Sequence, residues 1–370
     1  MTTPRYTPLA ASLPSTVPFV GPETQERGRG ALFRARLGAN ESVFGPSPLA
    51  VAAMQAAAAD TWMYGDPENH DLRHALAEVE QVQPENIIVG EGIDGLLGYI
   101  VRLIAGPGDA VVTSDGAYPT FNYHVAGYGA ELHKVPYRDD REDPQALVAK
   151  AAETGAKLIY LANPDNPMGT WHDGTVIERM VADLPDGCLL VLDEAYHHFL
   201  PNEALPRIAA DDPRVIRFRT FSKAYGMAGA RVGYGIAAPD LIQSFDKVRN
   251  HFGMSRISQA GALAALNDPD YMISVVAQVG WARERISAIS TANGLTPLPS
   301  ATNFVTLDCG EDGVFARKVL TELLSRDIFV RMPFVAPQDR CIRISAGTGA
   351  DLDLLAEVLP QALEAARAGS

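Results

Sequence analysis

The residues that could do chemistry stand in a definite order along the chain. Lys223 lies in "TFSKAYGMAGAR", among small and hydroxyl side chains, with Arg231 eight positions on. The stretch follows "VIRFRTF", an apolar, strand-like run. A lysine in a turn is commonly a solvated surface cation. Held near an arginine and out of water, its amine instead loses proton affinity and can attack carbonyl carbon. Asp193 closes the apolar run "LLVLD", and Tyr196 follows three residues later. A carboxylate at the end of a buried strand is costly unless paired, although a helix cap would also account for it. Asn166 sits in "NPDNPMGT", where two prolines and a glycine set a turn. Arg343, in "CIRIS", lies between two isoleucines and must meet an anion or reach solvent.

A fifth piece is "NIIVGEGIDGLLGYIVRLI". Gly90, Gly92 and Gly95 spell G-x-G-x-x-G after a strand and before a helix over 93–105, and Asp115 ends the next strand. That spelling fits a nicotinamide-dinucleotide site, with Asp115 on the ribose. It fits equally a plain tight turn. In either case the first N–H groups of the helix, with its dipole, favour a phosphate.

These residues need elements to hold them. Short β-branched runs at 86–90, 110–114, 157–163, 188–196 and 231–237 alternate with helical patterns at 47–59, 95–105 and 173–184. Alternation of this kind predicts an α/β domain with a mostly parallel sheet covered on both faces. The five pieces then fall at carboxyl ends of strands, where open α/β sheets form their ligand crevice. Residues 1–45, rich in Pro and Gly, read as an extended arm. Residues 46–268 form the large domain. From 269 to 370 the texture becomes α+β on a smaller scale and predicts a second, small domain.

Composition excludes several partners. The 370 residues allow two domains, and 47% hydrophobic with 21% charged is ordinary for a globular chain. A net charge of −14, with no basic block, argues against nucleic acid. No apolar stretch is long enough to cross a membrane. "MTTPRYTPLAASLPSTVPFVG" is broken by prolines and does not read as a secretion signal. Cys188, Cys309 and Cys341 lie far apart and read as buried free thiols, which suits a reducing cytoplasm. His197 and His198 are neighbours whose side chains would diverge on a strand or a helix, and no metal site is expected.

Taken together, phosphate turn, Asn turn, Asp-x-x-Tyr, Ser-Lys with Arg eight on, and a late Arg resemble a fold-type I, pyridoxal-phosphate-dependent aminotransferase of class I/II. The branch it most resembles is the histidinol-phosphate aminotransferase family. The likeness runs from "RLGANES" (36–42) to "CIRISAGT" (341–348). It places the family's phosphate loop at "GEGIDG", which removes the nicotinamide reading.

The resemblance implies that Lys223 is the covalent anchor of the cofactor and moves the substrate's α-proton. Asp193 would pair with the pyridine nitrogen. Tyr196 and Asn166 would hydrogen-bond the ring's phenolic oxygen. Ser222, Arg231 and the turn at Gly92, Ile93 and Asp94 would hold the phosphate. Tyr118 would stack on the ring, and Tyr64 would reach the phosphate from a second subunit, implying a homodimer with shared sites. Arg343 would grip the substrate's anionic group, Arg331 its distal end, and Asn40 and Phe19 would line the substrate pocket.

Departures from the family pattern bear on the substrate. Phe19 in "VPFVGPE" stands where that family has a phosphate-binding tyrosine, and Met168 where it has threonine. Arg27, Arg29, Arg34 and Arg36 crowd the arm, solvated or with one entering the pocket. The donor is therefore histidinol phosphate or an aromatic or other L-amino acid, and the acceptor a 2-oxo acid such as 2-oxoglutarate or pyruvate. A phosphothreonine-type decarboxylase shares the scaffold. A non-catalytic cofactor-binding regulator is disfavoured, because the chain lacks a DNA-binding segment.

Overall fold

A computed structural model of the chain describes residues 4–15 and 20–368. Its centre is a seven-stranded sheet built from β1 (Ile87–Gly90), β2 (Ala110–Ser114), β3 (Glu131–Val135), β4 (Leu158–Ala162), β5 (Leu189–Asp193), β6 (Val215–Thr220) and β7 (Gly233–Ile236). The order across the sheet is β1-β7-β6-β5-β4-β2-β3. Strands β2 to β6 run parallel to their neighbours, while β7 pairs antiparallel with both β1 and β6. Every residue of β1, β2, β4 and β5 is buried. That is why these strands read as unbroken apolar runs rather than alternating ones.

Helices cover both faces. On one, α3 (Gly92–Ile104) and α4 (Pro119–Tyr128) pack Leu96, Ile100, Phe121 and Val125 over Tyr160, Val191 and Phe218. On the other, α5 (Pro144–Thr154) and α6 (Gly174–Ala182) pack Leu147, Ile177 and Met180 over Ile159, Leu161 and Leu190. Chain order runs outward from β2 to β3, then reverses to β4. The crevice of this sheet therefore opens between β2 and β4.

The ends of β5 and β6 are braced by a buried ionic cluster. Glu194, directly after Asp193, accepts from Arg217 Nη2 at 3.0 Å and from Arg219 Nε at 2.8 Å. Arg219 continues to Glu80, at the end of α2 (His70–Glu80). Glu194 is buried, and the two guanidiniums hold its carboxyl below the usual range despite burial. A network with each charge matched holds one geometry, because any broken pair would leave a buried charge.

The C-terminal part has its own sheet: β8 (Phe304–Asp308) between β9 (Cys341–Ser345) and the short strand Thr296–Pro297, all antiparallel. Helices α8 (Pro269–Ala292), α9 (Gly313–Ser325) and α10 (Gly349–Ala368) pack on it through Val279, Ile286, Val319, Leu355 and Leu359. A further helix, α7 (Arg256–Leu266), packs against α1 (Pro48–Ala57).

The N-terminal region is not the extended arm that its Pro and Gly content suggested. It holds helices Pro8–Ser12 and Pro22–Arg29, both with proline in the first turn, where its missing N–H costs nothing. Residues Ala35–Arg36 then pair parallel with Ile328–Phe329 and tie the arm to the C-terminal part. The arginines of the arm do not line the substrate cavity. Arg36 pairs with Glu26 and, at 2.8 Å, with Glu23, and Arg29 with Asp327. The divergence expected of His197 and His198 is also overturned: in the tight turn His197–Phe199 their rings lie 3.7 Å apart. Burial lowers the proton affinity of both. Cys188, Cys309 and Cys341 are buried and free.

Candidate active site

The carboxyl ends of β2, β4, β5 and β6 face a cavity of about 320 Å³, lined across from them by residues 38–41, Arg331, Met332, Phe334 and Arg343. Of the residues singled out in the sequence, Asn40, Ile93, Asp94, Tyr118, Asn166, Asp193, Tyr196, Ser222, Lys223, Arg231, Arg331 and Arg343 all line it.

Lys223 follows β6, and its Nζ donates to the Asn40 carbonyl oxygen at 2.9 Å, 5.5 Å from the Tyr196 ring centre. Asn40 holds that carbonyl with φ +55°, a backbone pose in which Asn is tolerated. Burial, with the Arg343 cation adding to it, lowers Lys223 to about 8. Its neutral fraction at neutral pH is therefore far above that of a surface lysine. The solvated-turn alternative for Lys223 does not hold.

Asp193 is the last residue of β5 and is buried. Its Oδ2 accepts from the Tyr160 hydroxyl at 2.8 Å and its Oδ1 from the Ala195 N–H at 2.9 Å. Burial raises it to about 6 against those two donors. Tyr196 is buried, its hydroxyl accepting from Asn40 Nδ2 at 3.2 Å. Tyr160 was missed in the sequence, where it looked like one more core residue of "KLIYLAN". Only the spacing across β4 and β5, set by Ala162 opposite Asp193, brings its hydroxyl to the carboxylate.

At the other end of the cavity, α3 starts with no side-chain cap, so its first N–H groups are open to an anion. Gly92, at φ +76°, makes the turn, and its missing side chain leaves room for the Arg231 guanidinium. A Cβ on Gly233 would stand 2.7 Å from the Gly92 carbonyl carbon, so the strand can approach the turn only as glycine. The Ser222 hydroxyl accepts from Thr220 at 2.9 Å. Arg231, serine hydroxyl and helix N-terminus thus form one cradle.

Arg343 and Arg331 stand side by side through backbone hydrogen bonds of 2.6 and 3.3 Å. Arg343 reaches Asn166 Oδ1 and, at 3.2 Å, the Gly38 carbonyl. Its Nε is buried without a partner, and burial lowers the group to about 10. A desolvated guanidinium with an open N–H is suited to an anionic group presented in its plane. Arg331 Nη2 donates to the Val20 carbonyl at 2.7 Å.

One expected residue lies outside the cavity of its own chain. Tyr64 is 76% exposed and packs on Phe252 at 4.7 Å, outside the cavity. Phe19 falls outside the described residues. Met168 is fully buried, in agreement with a packing role. Phe334 and Met332, not singled out in the sequence, also line the cavity. No cluster of three or more His, Cys, Asp or Glu side chains able to hold a metal occurs among the described residues.

The donor set suits an aromatic aldehyde phosphate. It has an amine poised to bond carbon, a buried carboxylate for a ring cation, a phosphate cradle at the opposite end and a tyrosine, Tyr118, between them. The comparisons with known proteins agree. The family described as aminotransferase class I and II matches residues 35–359. Histidinol-phosphate aminotransferase of Roseiflexus castenholzii is 35% identical, covering 96% of this chain and 97% of its own. The enzyme of that name from Moorella thermoacetica is 32% identical, covering 94% and 90%. The crystal structure of histidinol-phosphate aminotransferase from Sinorhizobium meliloti with pyridoxal-5'-phosphate is 55% identical. It covers 98% of both chains at a TM-score of 0.95.

Proposed function

The chain belongs to the class I and II aminotransferases, pyridoxal-phosphate enzymes of fold type I, and on that footing we propose that it transfers the amino group of histidinol phosphate to a 2-oxo acid. The observation that carries the substrate is the paired arginines. Arg331 and Arg343 stand together at the cavity wall, and the buried Nε of Arg343 lacks a partner. A phosphate, with three acceptor oxygens, matches two adjacent guanidiniums better than an uncharged side chain does. The relatives' names point to the same donor.

Within this reading Lys223 anchors the cofactor, Asp193 balances its ring nitrogen, and Ser222, Arg231 and the α3 N-terminus with Gly92, Ile93 and Asp94 take its phosphate. Tyr118 covers the ring face, and Tyr196 and Asn166 border its phenolic oxygen. Bound there, pyridoxal phosphate supplies a cationic ring that draws electrons from bonds at the substrate's amino-bearing carbon. Freed by the incoming amine, Lys223 Nζ would remove the proton from that carbon and deliver it to the cofactor's own carbon, a role its lowered proton affinity suits. The Asn40 carbonyl receives the ammonium form.

We propose further that a second copy covers the exposed aromatic patch of Trp62, Tyr64 and Phe252, with Tyr64 reaching the partner's phosphate cradle. Trp62, Tyr64 and Phe252 are 80%, 76% and 56% exposed, and Tyr64 packs on Phe252 at 4.7 Å, so large aromatic side chains there are open to a partner. A protein that sediments as a monomer at micromolar concentration would remove this assembly. Division into an arm to residue 45 that packs on the small domain, a large domain to 268 and a small domain beyond draws support from a core of residues 275–366 that takes in Ala35 and Leu37 of the arm, although Tyr196, Phe199 and Ala224 of the large domain join it. The three free thiols suit a reducing cytoplasm.

The test is a half-reaction. Loaded protein is mixed with histidinol phosphate and, separately, with L-amino acids, and the cofactor's visible absorbance is followed. Histidinol phosphate should bleach it with a specificity constant at least about 100-fold above any free amino acid, the margin expected when a charged group meets buried partners. Faster bleaching by an aromatic amino acid would overturn the donor and leave the aminotransferase.

A further inference from the structure

The sheet's crevice contains a group that none of these roles uses. Strands β2 and β4 pair only at Val111 with Leu158 and Val112 with Ile159. Beyond those residues they part, and the Ala162 N–H is left without a ladder partner. The Glu142 carboxyl fills the gap: its Oε1 accepts from Ala162 N at 2.9 Å. Ala162 is the residue in register with Asp193. Glu142 is 2% exposed, and its Oε2 has no hydrogen-bond partner. The neighbouring Ser114 hydroxyl, at the end of β2, is buried, lies close enough to bear on this carboxyl, and makes no hydrogen bond of regular geometry.

Three carboxyl groups are thereby buried together, Asp193 lining the cavity and Asp165 and Glu142 outside its lining. Asp193 receives the Tyr160 hydroxyl and Asp165 receives the Tyr137 hydroxyl at 2.8 Å, together with the Met168 N–H at 3.0 Å. Glu142 receives one backbone N–H and leaves one oxygen bare. The cations nearest the cluster, Lys223 and Arg343, lie on the cavity side, toward Asp193 and Asp165. The imidazole of His172 donates from Nε2 to the Glu142 carbonyl at 2.7 Å, is kept neutral by burial, and offers no charge. Arg141 and Asp143, on the segment leading into α5, lie toward His172.

Like charges in one desolvated site cannot all ionise, and the proton settles on the acid with the fewest donors. We propose that Glu142 is a neutral carboxylic acid, its proton on Oε2 toward Ser114, and that it acts as a positioning residue. It closes the crevice between β2 and β4, holds the β4 end in register, and leaves Asp193 free to carry the negative charge that the cofactor ring requires. A carboxylate there would add a second negative charge behind Asp193 and make it harder to ionise. Burial and the Asp165 carboxyl both push Glu142 well above the usual range, as this requires.

The test uses the loaded protein and E142Q, which keeps shape and neutrality. In the infrared difference between them, a carboxylic-acid C=O stretch should appear for the wild type. It should shift when glutamate is 13C-labelled and persist from about pH 6 to about pH 8, well above the free glutamic acid range. A second readout is the pH dependence of cofactor uptake by the cofactor-free protein, which reports Asp193. Neutral-for-neutral exchange should leave its inflection in place. E142L, which leaves the Ala162 N–H unpartnered, should weaken cofactor binding roughly tenfold. The proposal is overturned if the wild type lacks the acid band at neutral pH. It is equally overturned if E142Q moves the Asp193 inflection to lower pH, because that would mean a negative charge had been removed. None of these readouts depends on which donor is used, so failure here stays separate from failure of the substrate assignment.

Discussion

Lys223→Ala should abolish turnover, lowering kcat by at least about 10⁴-fold, because on the proposed reading one side chain both anchors the cofactor and moves the proton. The protein should remain folded. The Lys223 side chain donates to the Asn40 carbonyl, its backbone carbonyl still accepts from the Gly226 N–H in the variant, and alanine leaves a space that continues the existing cavity. The variant should still take up pyridoxal phosphate by the phosphate cradle, without the covalent absorbance of the wild type. The pH dependence of capture gives an independent check. Only the neutral amine attacks a carbonyl, and burial places its proton affinity at about 8 in the folded protein. The rate at which cofactor-free protein captures the aldehyde should rise with pH and level off above about 8. A surface lysine would keep climbing toward about 10.4. Turnover by Lys223→Ala within tenfold of the wild type would place the reactive amine elsewhere.

The second large effect is at Asp193. Asp193→Asn keeps the shape and the Ala195 N–H contact but removes the charge. The ring nitrogen then loses the anion that keeps it protonated, and kcat should fall about 10²–10³-fold, the scale on which removal of one preorganised electrostatic partner acts. Cofactor affinity should fall as well. In the wild type it should weaken as pH drops through about 6, where burial has raised the carboxyl and protonation would discharge it. In Asp193→Asn that inflection should be absent. If kcat and inflection both survived, the carboxylate would be structural, and the Tyr160 hydrogen bond at 2.8 Å would be holding a strand end.

Much of this site could be read before any coordinates because its residues punctuate strands. Asp193 ends "LLVLD", Lys223 follows "RFRTF", and Asn166 sits in a Pro-rich turn after "LIYLA". In a buried parallel sheet a polar residue just after an apolar run is local information, and it marks the crevice edge. What could not be read depends on partners far apart in sequence. Tyr160 sits inside a strand and looks like core, yet its hydroxyl meets Asp193 across the ladder. Glu142 stands in the charged run "YRDDREDP", which reads as solvent-facing, yet it plugs the gap where β2 and β4 separate. The arm misled in the opposite sense. Its prolines suggested extended chain, but at Pro8 and Pro22 they begin helices. The adjacent histidines met because their turn is neither strand nor α-helix.

Transamination and decarboxylation differ in which bond at the amino-bearing carbon breaks. On the proposed reading Arg343 favours loss of the proton, since with an amino acid in place of histidinol phosphate its guanidinium would hold the α-carboxylate and restrain it from leaving. The most direct measurement follows both bonds at once in the loaded protein. L-glutamate carrying deuterium at Cα and 13C in its α-carboxyl is added, and deuterium loss and labelled carbon dioxide are monitored together. The account predicts deuterium loss with formation of the 2-oxo acid, slower than the reaction of histidinol phosphate, no labelled carbon dioxide, and neither event in Lys223→Ala. Release of labelled carbon dioxide at or above the rate of deuterium loss would contradict it.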